Sequence, residues 1–152
     1  MIIITDARPE DLDGIYEVEV NSFERPYPKG LLKFYLVMTP ETFVVAKDDG
    51  KVVGYAVGVL QWGSVGHVVS IAVLKEYRRK GIGRALLEEL ESRLIRLGAK
   101  YFILETSVNW EAKKFYFASG YLAVRFLKSY YSKNEHALLM MKPAKNYTDG
   151  FE

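Results

Sequence analysis

Residues 67–83 read HVVSIAVLKEYRRKGIG, and this stretch predicts a buried strand, then a basic glycine turn, then the start of a helix. The β-branched residues in its first half are typical of a buried strand. The helix that follows has apolar residues at amphipathic spacing. Its predicted apolar face comprises Ile82, Leu86, Leu90, Leu94 and Leu97. Because residues 101–105 predict another strand, the two strands should be parallel and joined by a right-handed crossover through the helix.

The remaining segments complete the predicted order β-α-α-β-β-β-α-β-α-β-β. The first helix begins near Pro9 and ends where Pro26 and Pro28 break it. Its predicted apolar stripe comprises Leu12, Ile15, Tyr16, Val20 and Phe23. Strands and helices do not alternate throughout this order, so the predicted fold class is α/β in the sense of a mixed α+β sheet with helices on its faces.

Composition limits the classes of protein that this chain can represent. Its 152 residues and 17.4 kDa predict a single domain over residues 1–152, with a peripheral tail at 144–152. Lys and Arg number 21 against 19 Asp and Glu, a balance that argues against a general nucleic-acid binder. No apolar run is long enough to span a membrane, and the start of the chain lacks the apolar core of a secretory signal. We therefore expect no membrane partner, a cytoplasmic location, and a chance occurrence of the sequon Asn146-Tyr147-Thr148.

The chain has no cysteine, which excludes disulfides, thiolate zinc sites and a cysteine nucleophile. Its two histidines, His67 and His136, are isolated in the sequence and do not make a metal site, so no metal is expected. His67 opens a core strand and is expected to be structural. His136 lies in the final hairpin and is a candidate to line a groove or to titrate near neutral pH.

The glycine turn, Gly81-x-Gly83, lies between a predicted strand and a predicted helix N-terminus. Backbone N–H groups there point out of the helix, and the helix end carries partial positive charge. Four cations flank the turn: Arg78, Arg79, Lys80 and Arg84. These features predict a site for a pyrophosphate, although a tight turn beside a solvated basic patch explains the same residues.

Two nucleotide-binding motifs fit the turn poorly. A P-loop needs Gly-Lys-Ser or Gly-Lys-Thr, which is absent. A dinucleotide fingerprint needs Gly or Ala where Leu86 stands, and too little chain follows the turn for a doubly wound sheet.

The run Arg78-x-x-Gly81-x-Gly83 after Ser70-Ile71-Ala72-Val73 resembles the coenzyme A motif of the GNAT N-acetyltransferases. A second signature of that family is matched by Asn109-x-x-Ala112-x-x-Phe115-Tyr116-x-x-x-Gly120-Tyr121. The resemblance covers nearly the whole chain and implies the GNAT fold, a splayed mixed sheet of about seven strands flanked by about four helices.

This resemblance also implies acetyl-CoA as cosubstrate. The pantetheine arm would lie between the strands that contain Ile71, Ala72, Val73 and Ile103 to Glu105, with an oxyanion donor near Val73. The pyrophosphate would rest on the backbone of Arg79, Lys80, Gly81, Ile82, Gly83 and Arg84. Asn109 would cap its helix and, with Tyr116, touch the cofactor.

Within the family, the chain is most similar to the N-terminal protein acetyltransferases, including the type that modifies a ribosomal-protein alanine. The matching residues are Tyr130-Tyr131, then Glu135-x-Ala137-Leu138-Leu139-Met140, and a proline-broken loop from Phe23 to Pro28. The resemblance implies that Phe23, Glu24, Tyr27, Tyr130 and Tyr131 contact the substrate.

Acetyl transfer to an amine needs a proton acceptor and an acid for the leaving thiolate. An α-amine has a pKa of about 7.7–8.0, so a modest base is sufficient. Glu105, at the predicted end of a strand, is the candidate base through a water molecule, although an exposed structural carboxylate explains it too. Its spacing to Asn109 is one residue shorter than is usual in the subgroup. Tyr116, which matches the family's general acid, is the candidate acid, with an aromatic surface patch as the alternative.

Three functions therefore remain after the sequence is read. The first is direct transfer of acetyl from acetyl-CoA to a protein or peptide N-terminal α-amine. The second is acetylation of a small amine or a lysine side chain, and the third is a non-catalytic CoA-binding module. A monomer and a homodimer are both compatible with the predicted edge strands.

Overall fold

The computed structural model describes residues 1–145, and their order of helices and strands is the predicted one. The strands are β1 (Ile2–Asp6), β2 (Phe43–Asp48), β3 (Lys51–Gln61), β4 (Val65–Val73), β5 (Tyr101–Ser107), β6 (Leu122–Ser132) and β7 (Glu135–Pro143). The α-helices are α1 (Leu12–Ser22), α2 (Lys29–Met38), α3 (Ile82–Leu97) and α4 (Trp110–Ala118). None of these helices has the length and hydropathy that crossing a membrane requires.

The seven strands form a mixed sheet in the order β1-β2-β3-β4-β5-β7-β6. Strands β4 and β5 are parallel, with Val65 opposite Tyr101 and His67 opposite Ile103. Antiparallel pairing joins β1 to β2, β2 to β3, β5 to β7 and β6 to β7. The mixed sheet and the parallel strand–helix–strand unit predicted from the sequence are therefore confirmed.

The chain forms two compact units. The first unit comprises Met1–Val59 and residues 68–96, and the second comprises Leu60–His67 and the residues from Leu97 onward. A single domain over residues 1–152 stays a prediction. In the predicted tail, Ala144 is buried and its N–H donates to the carbonyl of Lys100 at 2.9 Å. The sequon at Asn146 and the rest of the tail lie outside the described residues.

Helix α3 buries most of its predicted apolar face. Leu86, Leu90 and Leu94 have no exposed surface, whereas Leu97 is 45% exposed, so the prediction for Leu97 is wrong. At about 100° per residue Leu97 lies on the same side as the buried leucines, but it is the last residue of α3, so its exposure comes from its place at the helix end and not from its helical spacing.

Helix α1 buries only part of the predicted stripe. Ile15 is buried as predicted, whereas Val20 and Phe23 are each 40% exposed, and the helix also buries Val18 and Glu19, which the stripe did not include. Phe23 follows the helix in extended conformation, with φ −130° and ψ 139°, so helical spacing no longer determines its direction. The carboxylate at position 19 is thus part of the interior of the first unit.

We predict that Leu90→Ala lowers the free energy of unfolding by about 2–5 kcal/mol, because it removes buried methyl groups and leaves a cavity. Leu97→Ala, on the same helix, should cost about 1 kcal/mol or less because its side chain is half exposed. Urea unfolding followed by circular dichroism measures both changes. Equal losses in the two variants would contradict this account of the helix.

Candidate active site

The glycine turn of the first unit connects β4 to α3 through a short 3-10 turn at Lys75–Tyr77. Gly81 has a φ of +82°, and Arg79 also has a positive φ, of +62°. The hydrogen bond from the N–H of Ala85 to the carbonyl of Gly81, 3.0 Å, closes the first turn of the helix. The N–H groups of Ile82, Gly83 and Arg84 therefore point ahead of the helix, as an anion site requires.

The cations around the turn have different surroundings. Arg78 donates from Nε to the carbonyl oxygen of Val73 at 2.8 Å, which ties the turn to the end of β4. Arg84 donates from Nε to Glu88 at 3.0 Å on the exposed side of α3. The Lys80 ammonium lies 5.4 Å from the centre of the Tyr77 ring. The residues present therefore suit a diphosphate, with backbone donors at the centre and exposed cations around them.

The strand and the loop predicted to contact the substrates also lie in the first unit. In β4, Ala72 and Val73 are buried, while Ile71 is half-buried. Between α1 and α2, the side chains of Phe23, Glu24 and Tyr27 are exposed. Their contact with a substrate stays a prediction.

Glu105 in the second unit is held by a histidine. Its Oε1 lies 2.8 Å from Nε2 of His67, and both side chains are about one-fifth exposed, at 19% and 22%. Strand β5 continues to Ser107, so the expectation that Glu105 ends its strand is wrong: Glu105 still pairs with Leu139 of β7. Glu105 therefore sits on a paired strand with a defined side-chain direction.

A glutamine on β3 sets the proton position on this histidine. Nε2 of Gln61 lies 3.2 Å from Nδ1 of His67. An amide nitrogen only donates, so Nδ1 accepts and the neutral imidazole carries its proton on Nε2, which donates to Glu105. The Gln61–His67–Glu105 chain thus orients the carboxylate.

Tyr116 on α4 lies among aromatic rings. Its ring packs edge-on against Phe115 and Tyr121, with centroids 5.1 and 6.0 Å away. Burial raises the pKa of Tyr116 well above that of a free phenol, and the nearby Tyr131 raises it further. Its hydroxyl therefore keeps its proton at neutral pH, as a proton donor must.

The two tyrosines of the final hairpin follow a bulge in β6. Pairing with β7 is interrupted after Leu127, and Ser129 has a φ of +54°. The N–H of Ser129 donates to Nδ1 of His136 at 2.8 Å. The exposed rings of Tyr130 and Tyr131 pack edge-on, 5.0 Å apart. Desolvation, together with the charge of Glu105, raises the pKa of Tyr130.

Asn109 caps helix α4, as predicted. Its side-chain oxygen accepts the N–H of Glu111 at 2.9 Å. No group of three potential metal ligands of the His, Cys, Asp or Glu type occurs within residues 1–145.

The sequence reasoning missed two groups of residues. The first is Gln61 and His67 beside Glu105, and a histidine at the start of a predicted strand was the only signal available. The second is Glu19 with its partner Tyr55, for which no sequence signal existed beyond a carboxylate on the inner side of a helix.

The sequence and fold can now be compared with known proteins. The model of the acetyltransferase (GNAT) family matches residues 12–121. The chain belongs to the GNAT acetyltransferase family. The predicted family, the GNAT fold and the assignment as an acetyl-CoA-dependent acetyltransferase are thereby confirmed.

Individual members of the GNAT family are similar over nearly their whole length. An uncharacterised N-acetyltransferase of Methanocaldococcus jannaschii is 42% identical over 147 residues, 95% of this chain and 94% of its own. An N-alpha-acetyltransferase of Saccharolobus solfataricus is 36% identical over 92% of each chain. The crystal structure of Ard1 from Thermoplasma volcanium has a TM-score of 0.89 at 26% identity, over 94% of this chain and 97% of that one.

The predicted subgroup within the GNAT family is confirmed as well. Besides the N-alpha-acetyltransferase of Saccharolobus solfataricus, a putative ribosomal-protein bS18-alanine N-acetyltransferase of Bacillus subtilis is 30% identical over 90% of this chain and 92% of its own. The roles of individual site residues stay predictions.

We predict that Gly81→Ala destabilises this GNAT protein by about 1–2 kcal/mol, because a side chain at its positive φ is strained even though no atom lies within 4 Å of the added Cβ. Gly30→Ala is the control, since Gly30 lies in α2 with equal space and no positive φ, and alanine should there be neutral or stabilising. Calorimetry of CoA binding should show weaker affinity for Gly81→Ala only. A similar affinity in both variants would remove the turn from the cofactor site.

Proposed function

We propose that this protein transfers acetyl from acetyl-CoA to the N-terminal α-amine of a protein or peptide. The observation that carries the proposal is the Glu105 carboxylate, held by the Nε2–H of His67 on a paired strand. A carboxylate of this kind suits an α-amine, which is already partly neutral near pH 7 and needs only a modest base. The relatives named N-alpha-acetyltransferase support the choice of acceptor.

Binding of the cosubstrate is assigned to the first unit. Acetyl-CoA supplies an acetyl thioester. The N–H groups at positions 82–84 and the cations Arg79 and Lys80 would hold its pyrophosphate, while Ile71 to Val73 would contact its pantetheine arm. Arg78, bound to Val73, would keep the turn at the end of that strand. Contact of Asn109 with the cofactor stays a prediction.

Proton movement is assigned to the second unit. Glu105 would take the proton that the amine nitrogen loses, directly or through a water molecule, as that nitrogen bonds to the acetyl carbon. Tyr116 would donate its phenolic proton to the leaving thiolate, since its hydroxyl is protonated throughout the neutral range. With no cysteine in the chain, a cysteine-bound acetyl group does not arise.

Recognition of the acceptor is assigned to exposed side chains, four of them aromatic and one acidic. Phe23, Glu24 and Tyr27 in the loop between α1 and α2, and Tyr130 and Tyr131 in the β6–β7 hairpin, would contact the first residues of the substrate. A monomeric or homodimeric state, a cytoplasmic location and the absence of metal and nucleic-acid partners stay predictions.

A peptide panel tests the acceptor class. Each peptide is offered with a free N-terminus, and again with a blocked N-terminus and an internal lysine, together with acetyl-CoA. We expect a gain of one acetyl group on the free α-amines only, located by tandem mass spectrometry. Acetylation confined to the lysines or to added small amines would overturn the proposal, as would the absence of any product.

Substitution of the proposed base should reduce turnover without disturbing cofactor binding. We predict that Glu105→Gln lowers kcat by about 100-fold or more, the usual contribution of a positioned base, and leaves CoA affinity within about twofold. Glu17→Gln, an exposed carboxylate on α1, should match the wild type. Steady-state kinetics and calorimetry measure both quantities. A kcat that Glu105→Gln leaves unchanged would exclude Glu105 as the base.

A further inference from the structure

A carboxylate with no role in the steps above is buried in the first unit. Glu19 of α1 is 1% exposed, and its Oε2 accepts the backbone N–H of Tyr27 at 2.7 Å. Its Oε1 accepts the hydroxyl of Tyr55, a fully buried residue of β3. The Tyr55 oxygen lies 2.8 Å from Oγ of Ser70 on β4. One carboxylate therefore connects the sheet to the loop between α1 and α2.

The donors around Glu19 explain how a charge is kept in the interior. Burying a carboxylate is costly unless hydrogen bonds replace its hydration. Burial and the Glu19 charge raise the pKa of Tyr55, so its hydroxyl stays protonated and donates. Because the Tyr55 proton points at Glu19, Ser70 donates to the Tyr55 oxygen. The hydrogen bonds thus run from Ser70 through Tyr55 to Glu19.

The loop offers this carboxylate a particular contact. Tyr27 lies between Pro26 and Pro28, and proline has no N–H, so Tyr27 has the only backbone donor of these three residues. The two prolines also restrict the local φ angles. The hydrogen bond from the Tyr27 N–H to Glu19 therefore orients a stiff segment, and the Tyr27 side chain in it is 36% exposed.

We propose that Glu19 is a positioning residue that holds the 23–28 loop in the conformation that receives the first residue of the substrate. This inference rests on the proposed function, because that function assigns Phe23 and Tyr27 to substrate contact. Tyr55 and Ser70 fix the carboxylate from the sheet side. Loss of Glu19 should release the loop and weaken peptide binding, while acetyl-CoA binding is retained.

The first measurement follows the Tyr27 amide itself. In protein labelled with ¹⁵N-tyrosine, the Tyr27 N–H should exchange slowly with solvent in the wild type. Glu19→Ala should accelerate that exchange by about tenfold, as expected for loss of a hydrogen bond to a charged acceptor. Glu19→Gln should restore slow exchange, because its carbonyl accepts from Tyr27 while its amide donates to Tyr55. Glu17→Ala, an exposed glutamate on the same helix, is the matched control.

The second measurement is the kinetics of the same variants. Glu19→Ala should raise the KM for the peptide by about tenfold and leave the KM for acetyl-CoA unchanged. Glu19→Gln and Glu17→Ala should both match the wild type, and melting curves show that each variant is folded. If Glu19→Ala does not fold, Tyr55→Phe takes its place: it removes one donor to Glu19 and should raise the peptide KM by a smaller factor.

The outcomes separate this inference from the proposed function. Rapid Tyr27 exchange in the wild type, or an unchanged peptide KM in a Glu19→Ala variant with accelerated exchange, would overturn the inference and leave N-terminal acetylation standing. A wild-type protein that acetylates no α-amine would overturn both. The inference would be established if Glu19→Ala accelerates Tyr27 exchange and raises the peptide KM, and if Glu19→Gln returns both quantities to their wild-type values.

Discussion

Parallel pairing of β4 and β5 is the constraint on which the proposed chemistry depends. Two parallel strands that follow one another in a chain need a crossover, and α3 supplies it here. The same pairing puts His67 opposite Ile103. Because side chains alternate along a strand, Glu105 points to the same side as Ile103, where His67 Nε2 reaches it at 2.8 Å. The register between β4 and β5 therefore decides whether Glu105, the candidate base, has His67 as its hydrogen-bond partner.

The most distinctive feature of this chain is a set of polar side chains that are held in place by other hydrogen-bonded side chains. Glu19 and Glu105 are both carboxylates on regular elements, and each is oriented by a hydrogen-bond donor that is itself oriented: Tyr55 by Ser70, and His67 by Gln61. Such chains restrict a side chain to one direction, because any other direction leaves a desolvated polar atom without a partner. The Ser129–His136 bond restricts the backbone before the tyrosine pair in the same way.

The sequence predicted the fold better than the site. The hydrophobic periodicity is strong, so it predicted the order of helices and strands, the parallel strand–helix–strand unit and α3. Two motifs with defined spacing were enough to indicate the family. The wrong predictions concern residues whose burial in the tertiary structure differs from what the local sequence pattern indicates. Leu97 and Val20 are apolar and exposed. Glu19 has the residue type of a surface position and is buried, since the hydroxyl of Tyr55 on β3 and the backbone N–H of Tyr27 in the following loop compensate for its burial.

The sequence alone indicated the class of chemistry: a glycine turn at a helix N-terminus, no cysteine, and a family resemblance that made a glutamate and a tyrosine the candidates for proton transfer. These properties depend on residue type and short spacing, which the chain carries locally. Only the tertiary structure decided which groups meet, since His67 is 38 residues from Glu105 and Tyr55 is 36 residues from Glu19. Contacts of that kind depend on strand register and helix rotation, which the packing of the whole core sets.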